Sequence, residues 1–332
     1  MIRSADRRTG APIPVLDIGG THVTAAVVDP ATRRPVPASV LRRPLGSDAT
    51  ADSILDAIAR AALHLPAGHR PHWGVAIPGP FDYDTGVGRF TGVGKFETLS
   101  GVDVGAGLRE RLGRRAERLR FLNDADAFAI GEYHAGAAAG HERVVCLTLG
   151  TGVGSSFLRD GLPVHDGTLV PPDGHLHRLT VRDRPLEEVV SRRAIRARYA
   201  RLGSLTEDDV PPDVHEIAAL ARRGDPAASE AFRCAFAALG EALAPWIVRF
   251  AATAVVIGGS MARSWDLVHP ALSAGLDRTG GVTARVLPAG RPAEAALIGA
   301  AAWARDAAPI AAPCGPARPG TPPRRAPEGE GV

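Results

Sequence analysis

The chain has 332 residues, 45% of them hydrophobic and 23% charged, enough apolar content to exclude a chain without a core and a length that fits about two domains. A formal charge of +3 with no dense basic block gives no reason to expect a nucleic-acid partner. Cys146, Cys234 and Cys314 are far apart, which excludes a disulfide framework and any CxxC metal pattern and fits a reducing compartment.

In chain order, MIRSADRRTGAPIP carries no apolar signal-peptide segment, so residues 1–12 read as a flexible lead and the expected location is the cytoplasm. No stretch approaches the ~20 apolar residues that span a bilayer, and no membrane partner is expected. Val15–Ile18 and Val23–Val28 are β-branched runs around Gly19-Gly20-Thr21, the pattern of a hairpin. SILDAIARAALHL (53–65) has helical spacing with Ser53 as its N-cap. HWGVAIPGP (72–80) is a strand ending in a Pro-Gly-Pro turn, and LRFL (119–122) is a short strand running into the helix of NDADAFAIGEYHAGAA. VVCLTL (144–149), GTGVG (150–154) and SSFL (155–158) make a second hairpin like the first. Residues 227–250 form a long apolar-striped helix with a kink expected at Pro245, AVVIGG (254–259) is a strand ending in two glycines, and AEAALIGAAAWA (293–304) is a closing helix. Residues 306–332 hold seven prolines and read as a disordered tail.

Two glycine-tipped hairpins, each opening one half, suggest a weak internal duplication. Glycine at a tip permits positive φ and close backbone approach, and successive N–H groups then point at one spot as an anion nest. Thr21 and Thr151 add hydroxyls beside the tips, and Asp17 stands where one carboxylate can organise Mg²⁺ through water. There is no GxxxxGK[ST] and no helix after the glycines, so neither a Walker A loop nor a Rossmann turn is present. Two such tips and a third Gly-Gly pair point to nucleotide phosphates. Asn123-Asp124 lies where a strand becomes a helix, a place where α/β clefts form. A carboxylate there suits the base that phosphoryl transfer to an alcohol needs; alternatively Asp124 or Asp126 caps the helix.

VLDIGGTHVTAAVVD, GVAIPGPFD, FLNDADAFAIGE, LTLGTGVGSSFLRDG, PLEEVVSRRAI, AVVIGGSMA and AEAALIGAA follow one another in the order seen in ROK-family sugar kinases, and the chain resembles that family over about residues 14–304. The resemblance implies an α/β protein of the actin-like, ribonuclease H-like ATPase fold. Its two lobes would be residues 13–125, with helix 293–305 packing back, and residues 126–292, with ATP and substrate in the cleft between them. It assigns Asp17, Gly19, Gly20 and Thr21 to phosphates and magnesium, with Asp17 reaching Mg²⁺ through water. Gly150, Thr151 and Gly152 would form the second phosphate loop, and Gly258 and Gly259 would lie by the adenosine. Asp124 becomes the catalytic base, Asn123 a substrate hydroxyl's partner, and Gly79 a substrate-side residue. Asp126, where many relatives carry Asn, either shifts Asp124 or caps. The family's usual dimers and tetramers leave a homodimer open. Its repressors carry an N-terminal helix-turn-helix, for which a hairpin at Val15 leaves no room.

Two regions depart from the family pattern. Relatives carry a Glu-x-Gly-His sugar clamp and a cysteine-built zinc site, whereas HDGTLVPPDGHLHRLTVRDRPLEEVVS (165–191) has no cysteine, so no zinc is expected. Aligned one way, Pro172 replaces the Glu; aligned the other, His175 replaces it and Arg178 the His. Either way the acidic clamp residue is missing. His175 and His177 with Asp173 are either a metal set or surface and substrate residues. GVGRFTGVGKF (86–96) replaces a sugar-touching segment and holds the only lysine, Lys95, which either donates to the substrate or sits on the surface. An intact chemistry end with a rewritten recognition end implies an altered small-molecule alcohol. A C7-cyclitol such as 2-epi-5-epi-valiolone is favoured over glucose or an aminosugar of the kanosamine type, within secondary (antibiotic) metabolism.

Overall fold

The computed structural model describes residues 10–181, 183–206 and 209–305. The proline-rich tail, Cys314 and most of the N-terminal lead lie outside the described residues. The first sheet contains β1 (Ile13–Ile18), β2 (His22–Asp29), β3 (Arg34–Pro35), β4 (Leu41–Pro44), β5 (His72–Ile77) and β6 (Arg118–Asn123). The second contains β7 (Arg143–Leu149), β8 (Val153–Arg159), β9 (Leu162–Pro163), β10 (Ala254–Gly258) and β11 (Arg285–Pro288). In both, an antiparallel hairpin is extended by two parallel strands: the order is β2-β1-β5-β6 in one and β8-β7-β10-β11 in the other. The duplication suggested by the two glycine tips is therefore a duplication of sheet topology.

Helices fill three layers. On the outer face of the first sheet, α1 (Ala51–Leu63) and α2 (Val104–Leu112) bury Ile54, Ile58 and Leu108 against Trp73 and Ile77. The cap of α1 is Thr50, whose hydroxyl accepts from Ser53 N at 3.3 Å, so the helix starts before the Ser53 expected from sequence. Between the sheets lie α3 (Asp124–Ala135) and α9 (Ala295–Arg305), which share a core with Val15 and Ala76 on one side and Cys146 and Val256 on the other. Outside the second sheet sit α4 (Glu187–Val190), α5 (Arg192–Leu202), α6 (Val214–Arg222), α7 (Pro226–Phe250) and α8 (Trp265–Thr279).

The middle layer is set by small residues. A Cβ on Gly131 would lie 1.8 Å from the Ala295 carbonyl oxygen, one on Gly299 1.8 Å from that of Ala127, and one on Gly74 1.9 Å from that of Ala300. Backbone therefore touches backbone where α9 crosses α3 and β5, a distance that only glycine permits. Glu132, fully buried, accepts N–H bonds from Ala137, Gly290 and Arg291 and ties the end of α3 to the approach of α9.

Helix α7 runs as one element through Pro245. Contrary to the expectation that no segment would suffice, it is long and apolar enough to cross a bilayer. Its inward residues, including Phe232, Phe236, Leu239 and Phe250, are buried in the core beside the second sheet. Its apolarity is thus accounted for by packing, as for the core helix of a globular domain.

Candidate active site

The C-terminal ends of β1, β5, β6, β7 and β10 carry the turns singled out in the sequence, as expected of a cleft in an α/β fold. At the first tip, Gly19 N donates to His22 O at 2.8 Å and Leu45 N to Thr21 O at 2.8 Å, while the Thr21 hydroxyl meets His22 Nδ1 at 2.9 Å. Among the described residues the amides of Gly20 and Thr21 make no backbone hydrogen bond. Neither Gly19 nor Gly20 has positive φ, so the expected left-handed turn is absent. These glycines matter because they leave the tip bare: a Cβ on Gly20 would find only Lys95 Cδ, at 3.8 Å.

Asp17 sits one residue before the end of β1, opposite Thr24 of β2. Burial is the largest influence on its carboxyl and the negative charge of Asp124 the next; together they push it up to about 6, against the opposing pull of Arg42. A carboxylate under such strain is eased by a divalent cation. Magnesium uses one or two carboxylates plus waters and phosphates, so a single Asp17 fits it. Among the described residues no group of three or more His, Cys, Asp or Glu is arranged to hold a metal by itself.

The second tip is held by Gly150 N donating to Gly152 O at 3.0 Å, and Arg192 N donates to Gly150 O at 3.2 Å. Thr151 is exposed. Gly150 and Gly152 likewise lack positive φ. At Gly152 a Cβ would fall 2.2 Å from Glu187 Oε1, so that carboxylate lies against the loop. Gly258 and Gly259 end β10 beside it. Gly259 has φ +86 and would place a Cβ 2.5 Å from Leu149 N, whereas Gly258 makes room for the Phe128 ring.

Asn123, and not Asp124 or Asp126, caps α3: its Oδ1 accepts from Ala125 N at 2.9 Å. Its Nδ2 donates to Tyr83 Oη at 3.0 Å, and Tyr83 in turn donates to Ile77 O at 3.3 Å. Gly79 lies under this pair, with Tyr83 Oη 3.3 Å from where its Cβ would be. Burial lifts the Tyr83 phenol well above its usual range, keeping it a donor. Asp124 Oδ1 accepts from Ala125 N at 2.9 Å. Burial raises its carboxyl above the ordinary carboxylate value; Lys95 is the strongest opposing influence, and Asp126 adds to the rise.

Lys95 therefore lies between the first tip and Asp124 rather than out on the surface. Phe90 and Phe96 are fully buried on either side of it in the chain, their rings 5.3 Å apart. Glu97 accepts N–H bonds from Gly92, Val93 and Gly94 at 3.0, 2.7 and 2.8 Å, which folds the glycine-rich segment into an arch. On the opposite wall, His175 and His177 have ring centroids 5.0 Å apart. Burial lowers both below the usual histidine value. The His175 Nδ1 is buried without a partner among the described residues. Arg178 is exposed and paired with Asp173, its guanidinium turned toward that carboxylate. Sequence reasoning missed Tyr83, His165 and Glu187. Tyr83 directly follows GVAIPGPFD and Glu187 lies in PLEEVVS, but neither has a spacing that marks it.

The sequence matches the model of the ROK family over residues 14–307. It is 30% identical over 274 residues to a glucokinase of Thermotoga maritima, covering 76% of this chain and 83% of that protein. It is 29% identical over 330 residues to a glucokinase of Streptomyces coelicolor, covering 89% and 98%. The fold is similar to that of a ROK family glucokinase from Streptomyces griseus in complex with glucose and AMPPNP, at 27% identity and a TM-score of 0.73 over 90% of this chain and 100% of that one. A ROK hexokinase from Thermus thermophilus is similar at 26% identity and a TM-score of 0.71, over 88% and 97%.

Proposed function

This chain belongs to the ROK family and has its actin-like, ribonuclease H-like fold, and from that membership we propose an ATP-dependent kinase of a hexose-sized cyclic polyol. The observation that carries the reading is the pair Asp17 and Asp124. Two carboxylates from different strand ends stand close enough for the charge of one to raise the other, beneath a tip with free amides. Gly20 and Thr21 would receive the phosphates from one side, and Thr151 with Gly152 from the other. Asp17 would hold magnesium through water; when bound, the ion neutralises charge on the phosphates. Asp124 takes the proton of the acceptor's primary hydroxyl as it attacks. Its raised carboxyl is the better base for being nearer neutrality. Lys95 faces the same point and offsets negative charge as the phosphoryl group moves. Asn123 and Tyr83 position a neighbouring hydroxyl. The adenosine would lie along Gly258 and Gly259.

Among acceptors we favour a C7-cyclitol such as 2-epi-5-epi-valiolone, phosphorylated at its 7-hydroxyl. Support comes from the acceptor wall: where relatives place the clamp carboxylate, Pro172 or His175 stands, and the one acid of residues 172–178, Asp173, is paired with Arg178. A buried hydroxyl that loses its acceptor costs about 1–3 kcal/mol, which disfavours an anomeric hydroxyl and not a carbocycle. The glucokinases among the relatives favour glucose as the second reading. A protonated aminosugar would meet the ammonium of Lys95 and is the least favoured of the three.

ADP release measured over 2-epi-5-epi-valiolone, glucose, fructose, mannose and kanosamine tests both levels. Turnover of none, with no ATP binding, would exclude the kinase; glucose turned over faster than the cyclitol would exclude the cyclitol preference. Asp124→Asn should abolish turnover, by about 10³-fold or more, while ATP binding followed by calorimetry is unchanged. Surviving turnover in that variant would remove Asp124 from the role of base.

A further inference from the structure

Asp126 is 5% exposed yet carries a carboxylate, and it follows Asp124 by two residues on the first turn of α3. Its Oδ2 lies 2.8 Å from His165 Nε2, the histidine half-exposed and the aspartate buried. His165 stands at the start of the segment that leads to His175, His177 and Arg178. That segment is fastened elsewhere by ordinary means. Leu176 is fully buried in the core beside the second sheet. Ser155, on β8, donates to Gly174 O at 2.7 Å and accepts from Leu176 N at 2.9 Å. Gly174 is packed onto the backbone before it: a Cβ there would lie 3.3 Å from Val164 O and 3.7 Å from His165 Cδ2. Ser155 and Leu176 thus join the segment to the second sheet, and His165 joins it to the helix that carries the base.

We propose that Asp126 and His165 form a strut that fixes the acceptor-facing segment 165–178 at a set distance from Asp124. They are positioning residues for the acceptor and do not touch the reacting atoms. The assignment rests on the kinase reading only for its consequence on acceptor affinity; the strut itself is a property of the fold. Its strength varies with pH. A buried carboxylate needs a partner that donates, and the charged imidazolium is the strongest one here. The bond to Asp126 raises the His165 imidazole above its ordinary value, with smaller help from Asp166 and Asp173 and against its own burial. Asp126 in turn faces Asp124, Tyr83, His175 and Cys146. None of these four is a cation at neutral pH, so His165 is its only counter-charge among the groups identified around it. A raised histidine keeps its contribution below the ordinary value near 6.5 and loses it as pH rises through the higher folded value. The segment should therefore loosen above neutrality, with the acceptor bound more weakly and ATP unaffected.

Hydrogen–deuterium exchange of peptides spanning 166–178, corrected for the intrinsic pH dependence of exchange, tests the strut without turnover. In the full-length protein His165→Ala, which has no donor, should speed exchange there at pH 6.5 beyond the level the parent reaches at alkaline pH. His165→Gln, which still donates but cannot be charged, should hold exchange near the parent's alkaline level at every pH and so flatten the pH response. With whichever of 2-epi-5-epi-valiolone or glucose is turned over, His165→Ala should raise acceptor KM about three- to tenfold with kcat and ATP KM little changed. Exchange identical in parent and His165→Ala at every pH would overturn the strut, as would a fall in kcat at constant acceptor KM. Absence of turnover with both acceptors would fail the kinase reading and leave the exchange result to decide the strut.

Discussion

At the scale of single residues, Asp17 joins a cost in stability to a proposed role in chemistry. Its carboxyl titrates near 6 in the fold against 3.8 in an unfolded chain, because burial and the charge of Asp124 disfavour ionisation. A carboxyl with a raised folded value opposes folding once it is ionised, above about pH 6, and that opposition fades as pH falls toward 4. Asp17→Asn should therefore stabilise the protein by about 1–3 kcal/mol at pH 7.5 while removing the group proposed to hold magnesium. Urea unfolding at pH 7.5 and again at 4.5 checks this; an equal gain at both pH values would mean that the carboxylate is not strained in the fold. The residue types at this scale were legible in sequence, but the effect of Asp124's charge on Asp17 was not. Asp17 and Asp124 are 107 positions apart in the chain, and only the parallel pairing of β1, β5 and β6 brings their strand ends together.

At the scale of elements, the glycine turns divide by physical cause. Gly259 needs its left-handed φ of +86 and the space taken by Leu149 backbone. Gly259→Ala should destabilise by about 2–4 kcal/mol, visible in denaturant midpoint whatever the ligand. Gly20 has neither constraint, with open space to 3.8 Å. Gly20→Ala should leave stability within about 0.5 kcal/mol and yet weaken ATP roughly tenfold by placing a methyl where a phosphate approaches. Equal loss of stability in both variants would contradict this division. From sequence both turns read alike, as Gly-Gly after a β-branched run. The hairpin reading was sound in outline, since residues 15–18 and 23–28 pair in register, but its warrant of positive φ failed at all four glycines of the two tips. The turns close through Gly19 N to His22 O and Gly150 N to Gly152 O without leaving the right-handed side of φ.

Across the whole molecule, both halves depend on α3 and α9, which stand between the sheets and carry Asp124 at one end. Their spacing is fixed by Gly131, Gly299 and Gly74. Gly131→Ala would force a methyl to 1.8 Å from the Ala295 carbonyl oxygen, and should cost about 3 kcal/mol with a loss of turnover larger than the unfolded fraction explains. Circular dichroism melts alongside ADP release would separate the two effects. Turnover that simply tracks the folded fraction would mean that α3 keeps Asp124 in place independently of α9.

The sequence by itself determined the inventory: two apolar hairpins with glycine at their tips, a carboxylate where a strand meets a helix, a lone lysine in a glycine-rich segment, and a histidine-rich stretch at 165–191 without cysteine. These are local facts, carried by residue type and by periodicities of two and 3.6, and they survive in any one-dimensional reading. The tertiary structure decided which of them meet. Lys95 faces Asp124 because Phe90 and Phe96 are buried and Glu97 gathers three amides beneath the arch. His165 reaches Asp126 because Ser155 and Leu176 bring their segment back onto α3. The arch closes between residues three to five apart, but it is seated by burying Phe90 and Phe96 in the core of the first sheet, and the second outcome joins residues tens of positions apart; in both, the gain from burial and charge pairing outweighs the entropy of closing the loops, and no local pattern in the chain encodes that balance.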